Sequence, residues 1–396
     1  MALISVEEAH ARLMALFIPV STERVPLAAA GGRVLAADVV AARAQPPVAV
    51  SAMDGYALRH ADLAAGVALR IIGTSAAGRG FGESLGPGEA VRIFTGAPVP
   101  EGADMVLIQE DADTGEGTVV PKPDHDTGAN IRPAGGDFSA GARIRAPRRL
   151  SPADLALVAA MGADPVQVFR RPVVALMMTG DELVMPGEVP GPEQVIASNA
   201  FGLKAMLEAA GAEARILPIA RDTPESLDLG FSLARGADLV VTIGGASVGD
   251  LDLVRPAAAA RGLDLEFHRI AMRPGKPLMA GRLGAAVFVG LPGNPVSALV
   301  TGRIFLVPAV ERLLGLAGEL PPRMPARLGG AVSTNGPRTH FMRALVEPGR
   351  DGWRCTACNR QDSSLLSVLS ESNALLIRPP GDPARPLGAE VEFIWI

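Results

Sequence analysis

Between Arg171 and Leu320 the chain alternates short, mostly apolar runs with amphipathic stretches. Val173-Val-Ala-Leu-Met-Met178, Arg215-Ile-Leu-Pro-Ile219, Leu239-Val-Val-Thr-Ile243, Leu265-Glu-Phe-His-Arg269 and Ala286-Val-Phe-Val289 read as strands. Helices are expected at about 199–211, 224–235, 251–261 and 295–315. Strand and helix in alternation predict an open α/β sheet with crossover helices. Sheets of that kind bind ligands where loops leave the carboxyl ends of the strands.

The flanking texture is different. Residues 1–42 are alanine-rich and expected to be helical, with Ser5-Val-Glu-Glu8 as a capping box opening a helix through about Phe17. From 43 to 141 short β-like runs (Ala68–Ile72, Ala90–Phe94, Met105–Ile108) are broken by Gly and Pro, which suits a small, mostly β domain with functional loops. Ser151-Pro152 starts another helix, serine as N-cap and proline at the first position. If that helix rejoins the N-terminal region, the β domain is an insertion. The expected division is 1–42 with 142–170 as a helical N-terminal domain, 43–141 as the inserted β-rich domain, 171–320 as the α/β domain, and 321–396 as a C-terminal β-barrel. The fold class is therefore a multidomain α/β protein.

Composition narrows the partners. The 396 residues are 48% apolar and 20% charged, enough apolar material for several cores. A net charge of -5 with 4% aromatic residues argues against nucleic acid, for which neither a basic footprint nor stacking platforms are visible. Acids stand where a signal peptide would carry positive charge, and no run of about 18 uncharged apolar residues suggests a membrane span. A cytoplasmic location is expected. Cys355 and Cys358 form one C-x-x-C with no second ligand pair, which reads as two reduced thiols rather than a zinc site.

The loops after the strands carry the chemistry. They are Thr179-Gly-Asp-Glu182, Arg221-Asp222, Gly244-Gly-Ala-Ser-Val-Gly-Asp-Leu-Asp252, Arg269 to Lys276, and Leu291-Pro-Gly-Asn-Pro-Val-Ser297 with Asn294 as N-cap. Ser247 lies in a G-x-S-x-G, which could be a nucleophile elbow or a cradle for an oxyanion. Only His268 and His340 follow it, the first in an apolar strand-like stretch and the second in the expected C-terminal β domain, which disfavours a Ser-Asp-His triad. Carboxylates with glycines suit a hard divalent cation shared with substrate phosphates, whereas arginines, a lysine and helix N-termini suit the anions.

Seven stretches in order carry a resemblance over nearly the whole chain. They are Ser51-Ala-Met-Asp-Gly-Tyr-Ala57, Phe94-Thr-Gly-Ala-Pro-Val-Pro100, Asn130-Ile-Arg-Pro-Ala-Gly-Gly-Asp137, Thr179-Gly-Asp-Glu-Leu183, Gly244-Gly-Ala-Ser-Val-Gly-Asp250, Arg273-Pro-Gly-Lys-Pro277 and Gly290-Leu-Pro-Gly-Asn-Pro-Val-Ser297. The chain resembles the molybdopterin molybdenumtransferases, the MoeA family, and is similar to the E domain of gephyrin. The resemblance implies an enzyme that takes adenylylated molybdopterin and molybdate, uses Mg²⁺ or another divalent cation, inserts molybdenum, and releases AMP.

By the same resemblance, Asp54, Thr95, Asp137, Glu182, Asp222, Asp250 and Asp252 correspond to the polar and acidic site. Glu182, Asp250 and Asp252 would hold the metal. Gly244, Gly245, Ser247, Gly249, Pro292 and Asn294 would floor the substrate site. Arg269, Arg273, Lys276, Arg343 and Ser363 would hold molybdate and phosphate, with Arg132 a weaker member. Tyr56 is assigned to packing. Arg269 and Arg273 stand where many relatives have lysine, keeping charge but changing geometry and hydration. A homodimer is implied, with Asp54 and Thr95 acting on the partner's Asp252, together with exchange with a molybdopterin adenylyltransferase and molybdoenzyme acceptors. Two rivals are an adenylyltransferase on the same α/β module and a non-catalytic scaffold of the gephyrin type.

Overall fold

A computed structural model describes residues 3–64, 66–245 and 253–396. The chain divides into two compact units. One holds residues up to Glu23, Gly32–Ala36 and Val168–Ile396, and the other holds Arg24–Gly31 and Ala37–Gln167.

The larger unit is built on six strands: β1 (Val173–Met178), β2 (Glu213–Ile216), β3 (Leu239–Ile243), β4 (Leu263–His268), β5 (Met279–Leu283) and β6 (Ala286–Leu291), in the order β2-β1-β3-β6-β5-β4. The first four in that order pair in parallel, with Leu176 beside Val241 and Val241 beside Val289. These three side chains are fully buried, each contributing roughly 1.5–3 kcal/mol of apolar burial. The strand β5, absent from the sequence reading, runs antiparallel between β6 and β4. Two reversals leave β4 parallel to β6, so its carboxyl end reaches the same edge as the others.

Helices α1 (Asn199–Ala209), α2 (Pro224–Leu233) and α3 (Val254–Ala260) make the crossovers. The helix expected over 295–315 is interrupted. After α4 (Pro295–Thr301) the chain widens into a π-helical turn, Gly302–Leu306, before α5 (Val307–Leu313). Pro308 accounts for this: it has no N–H to donate, and in a regular helix its ring would strike the carbonyl four residues back.

The C-terminal strands β7 (Met324–Leu328), β8 (Thr339–Gly349), β9 (Gly352–Ala357), β10 (Ala374–Arg378) and β11 (Glu390–Trp395) close on themselves in the order β8-β9-β7-β11-β10, with β10 returning to β8. This is the expected barrel. Cys355 is buried inside it, and burial pushes its thiol up to about 12. The N-terminal region is less helical than its alanines suggest. Ser5 caps a helix over Val6–Ala15 by accepting from the Glu8 N–H at 3.0 Å, but Thr22–Val25, Val34–Leu35 and Val39–Val40 are short strands.

In the smaller unit six strands form one sheet in the order Met105–Ile108, Gly55–Leu58, Glu89–Ile93, Leu69–Ser75, Thr118–Pro121, Ala112–Gly115. The helix Pro152–Ala160 carries a reciprocal capping box between Ser151 and Asp154, as its sequence indicates. The strand Gly55–Leu58 lies inside the motif that contains Asp54, and Gly55 is required by close approach. A Cβ there would stand 1.9 Å from the Leu107 carbonyl oxygen of the neighbouring strand. Gly55→Ala is expected to destabilise the protein by about 3 kcal/mol, the upper end for overpacking, read as a lower urea midpoint. An unchanged midpoint would show that the two strands separate freely.

Candidate functional site

The carboxyl ends of β1, β2, β3 and β6 surround a cavity of about 780 Å³. Its polar lining comes from Thr179 and Glu182 after β1, Asp222 after β2, Gly244 and Gly245 after β3, and Asn294 after β6. Leu183, Val195 and Ile196 add an apolar wall, and Ser198 and Asn199 stand at the start of α1. A pocket of mixed lining at the strand ends is where a sheet of this kind takes a small-molecule ligand.

The loop after β1 is shaped around its acid. Gly180 has φ +146°, and a Cβ there would lie 2.4 Å from Glu182 Oε2, so glycine at 180 is what lets the Glu182 carboxylate occupy its place. Arg221 holds the same loop from the next strand: its Nη1 lies within 3.2 Å of the carbonyl oxygens of Gly180, Asp181 and Leu183. Asp222 then donates its backbone N–H to Asp181 Oδ1 at 3.1 Å. Burial holds the Asp222 carboxyl above its ordinary range, and the negative charges of Asp181 and Glu182 raise it further. Such a site favours positive charge.

Thr179 adds a buried hydroxyl to this edge. It is 5% exposed, and its Oγ1 has no hydrogen-bond partner among the described residues. Among those residues no three His, Cys, Asp or Glu side chains come together as a metal cluster. The donor set present, two carboxylates and a hydroxyl beside a cavity, fits Mg²⁺ held by one or two carboxylates and shared with a substrate phosphate. Of the expected metal ligands, Glu182 lies at this cavity. Asp250 and Asp252, with Ser247 and Gly249, fall outside the described residues.

None of the expected cations Arg269, Arg273, Lys276 and Arg343 lines this cavity. Pro292 and Asn294 line the cavity, and Asn294 Nδ2 donates to Ser363 Oγ at 3.0 Å. Asn294 occupies the N-cap position of α4, but its side chain makes no capping bond. The helix start is satisfied from elsewhere, the Val296 N–H donating to the Ser363 carbonyl at 3.0 Å. Arg269, Arg273 and Lys276 do not line the cavity, although Pro277 does. Arg269 has φ +77°, a strained conformation for a non-glycine residue, and its loop is closed by N–H donation to the Leu278 carbonyl. Arg273 pairs with His340, whose imidazole is pulled down to about 4 by burial and then by the charges of Arg273, Arg343, Arg338 and Arg378. Arg343 is buried, 1% exposed, with Nη1 and Nη2 donating to the carbonyls of Asp362 and Arg360 and Nε without a partner among the described residues. It thereby holds the loop that presents Ser363 and Ser364.

In the smaller unit the expected pair does meet. Asp54 Oδ1 accepts from both the Thr95 N–H (2.7 Å) and the Thr95 hydroxyl (2.8 Å), which hold its carboxyl below the usual range. Arg132 is exposed on Ile131–Arg132, a short strand paired with Val50–Ser51. Asp137 sits in an exposed turn whose backbone N–H bonds the Gln45 carbonyl. Tyr56 is packed, 7% exposed.

Sequence reading missed Ser198, Asn199, Val195 and Ile196. Asn199 Nδ2 donates to the Gly293 carbonyl at 2.7 Å, tying α1 to the loop after β6. The adjacent Ser198-Asn199 pair before an apolar helical stretch is the one signal that marked this corner.

Fold and site together define a multidomain α/β protein with a ligand cavity at the carboxyl edge of a mostly parallel sheet, joined to a closed barrel and a β-rich unit. Known proteins carry the same arrangement. Residues 4–162 match the MoeA N-terminal region (domain I and II), 175–312 a probable molybdopterin binding domain, and 325–396 the MoeA C-terminal region (domain IV). The chain belongs to the MoeA family. It is 35% identical over 392 residues to a molybdopterin molybdenumtransferase of Nostoc sp., covering 93% of this chain and 88% of that one. It is 34% identical over 381 residues to the molybdopterin molybdenumtransferase of Haemophilus influenzae, covering 95% and 94%. A crystal structure of the molybdopterin biosynthesis MoeA protein of Pyrococcus horikoshii superposes with a TM-score of 0.84 at 30% identity, covering 100% of this chain and 99% of that one. Among the described residues no helix is long and apolar enough to cross a membrane.

Proposed function

We propose that this chain is a molybdopterin molybdenumtransferase: it accepts adenylylated molybdopterin and molybdate, and inserts molybdenum with release of AMP. The observation that carries the proposal is the cavity where Glu182 and Asp222 meet the glycine loop after β3, in a chain matching all three MoeA regions. Cleaving a phosphoanhydride calls for charge neutralisation and positioning rather than a protein nucleophile. Glu182 and Asp222, with Asp250 and Asp252, would hold Mg²⁺, which would neutralise the phosphate oxygens. Arg269, Arg273, Lys276, Arg343 and Ser363 would hold molybdate. Asp54, Thr95 and Asp137 would complete the site from the partner subunit of a homodimer. The protein would work in the cytoplasm, receiving substrate from a molybdopterin adenylyltransferase and passing its product to molybdoenzymes.

Supplied with adenylylated molybdopterin, molybdate and Mg²⁺, the protein is expected to release AMP only when molybdate is present and to retain molybdenum on the pterin. AMP release indifferent to molybdate would sink the proposal. Formation of the adenylate from molybdopterin and ATP would point instead to the adenylyltransferase.

A further inference from the structure

We infer that Arg92 is a positioning residue, a cation held against two aromatic rings that locks the Asp54 and Thr95 loops together. The guanidinium carbon lies 4.9 Å from the ring centre of Tyr56 and 4.8 Å from that of Phe94. Nη1 donates to the Gly55 carbonyl at 3.0 Å, and Nη2 to Gln109 Oε1 at 2.7 Å. Each contact is made beside the pair. Gly55 and Tyr56 follow Asp54, Phe94 precedes Thr95, and the backbone N–H of Gln109 donates to the Asp54 carbonyl at 3.0 Å.

The geometry follows from strand register. Arg92 faces Tyr56 directly across an antiparallel pair, so its side chain crosses the Tyr56 ring and reaches the strand ends where both loops begin. Phe94 is 38% exposed, a large ring that core burial alone leaves unexplained. An arginine within cation–π range of two rings and hydrogen-bonded through both Nη1 and Nη2 is held by four contacts at once. Lysine has the charge but not the plane, and cannot make both bonds while stacked. The charge of Arg92 also adds to the Thr95 bonds in holding the Asp54 carboxyl low. This role rests on the reading that Asp54 and Thr95 take part in the reaction.

The test compares Arg92→Met, Arg92→Lys and Asp54→Asn in the AMP-release assay, with Arg70→Met as control. Arg70 forms an exposed ion pair with Glu89 in the same sheet and touches neither loop. In Arg92→Met, kcat is expected to fall on the order of 10²-fold with little change in KM, the cost of misplacing a group by about 1 Å. Arg92→Lys should fall between that variant and wild type, and Arg70→Met should match wild type. Two further readouts follow the geometry itself. Exchange of the Thr95 amide proton should accelerate in Arg92→Met, and the ring signals of Tyr56, the only tyrosine, should shift. Wild-type kcat in Arg92→Met, unchanged Thr95 exchange, or an equal loss in Arg70→Met would each overturn the assignment of Arg92. Full turnover in Asp54→Asn would instead remove the reading on which it rests.

Discussion

Mixing Asp54→Asn chains with Glu182→Gln chains, each inactive alone, is expected to restore about a quarter of wild-type turnover, as symmetric dimers with a shared site require. Random re-pairing makes half of the dimers mixed. In a mixed dimer one site receives both substitutions and stays silent, while the other receives an intact Asp54 from one chain and an intact Glu182 from its partner. The average over all sites is one in four. If both residues served a site within one chain, every site would carry one substitution and the mixture would stay inactive. Asp54 bonds Thr95 in the smaller unit, and Glu182 lines the cavity in the larger one. The two acids therefore belong to different compact bodies, and complementation decides which chain supplies each. Activity of the mixture no greater than that of either variant would rule out a site completed by the partner.

How far the residues foretold this arrangement depends on the kind of signal. Strands β1 and β3 were legible to their last residue because Val173–Met178 is an unbroken apolar run and Leu239–Ile243 is apolar but for the β-branched Thr242. The strand β5 was not, since Gly281 and Arg282 interrupt Met279–Leu283 and only its place between β6 and β4 makes it a strand. Gly55–Leu58 was hidden similarly: most of it falls within the stretch Ser51–Ala57 that carries the family resemblance, and no strand was expected there, yet all four residues are buried in a sheet between two neighbouring strands. The alanines of residues 27–42 suggested helix, but Pro26 and Gly31-Gly32 break it and tertiary pairing recruits the pieces as strands.

For the site, acids directly after strands could be found because topology fixes where a strand end points. That reasoning found Glu182 and Asp222. It could not order the cations. The burial of Arg343 against the carbonyls of Arg360 and Asp362 was not legible, because that contact is set by how the barrel strand meets a loop. The place of Arg92 against two rings was equally invisible, because it depends on three segments meeting.

Glu182→Gln and Asp222→Asn should separate activity from stability more sharply than any other pair. Turnover is expected to fall roughly 10³-fold in each, since cation-assisted charge stabilisation supplies several kcal/mol and about 1.4 kcal/mol is a factor of ten. Stability should move the other way at Asp222. Its carboxyl is raised by burial and by the charges of Asp181 and Glu182, so at neutral pH the ionised group weighs against the folded state. Protonation removes that burden as pH falls through the raised value, and nothing of it remains below the ordinary carboxylate range. Asp222→Asn, which cannot ionise, should therefore melt at or above the wild-type temperature at pH 7, and the two curves should meet as pH is lowered. Glu182 is exposed, and Glu182→Gln is expected to change stability by no more than about 0.5 kcal/mol. Asp222→Asn with full turnover and a lowered melting temperature would assign it to the structure of the loop, leaving Glu182 alone at the cavity.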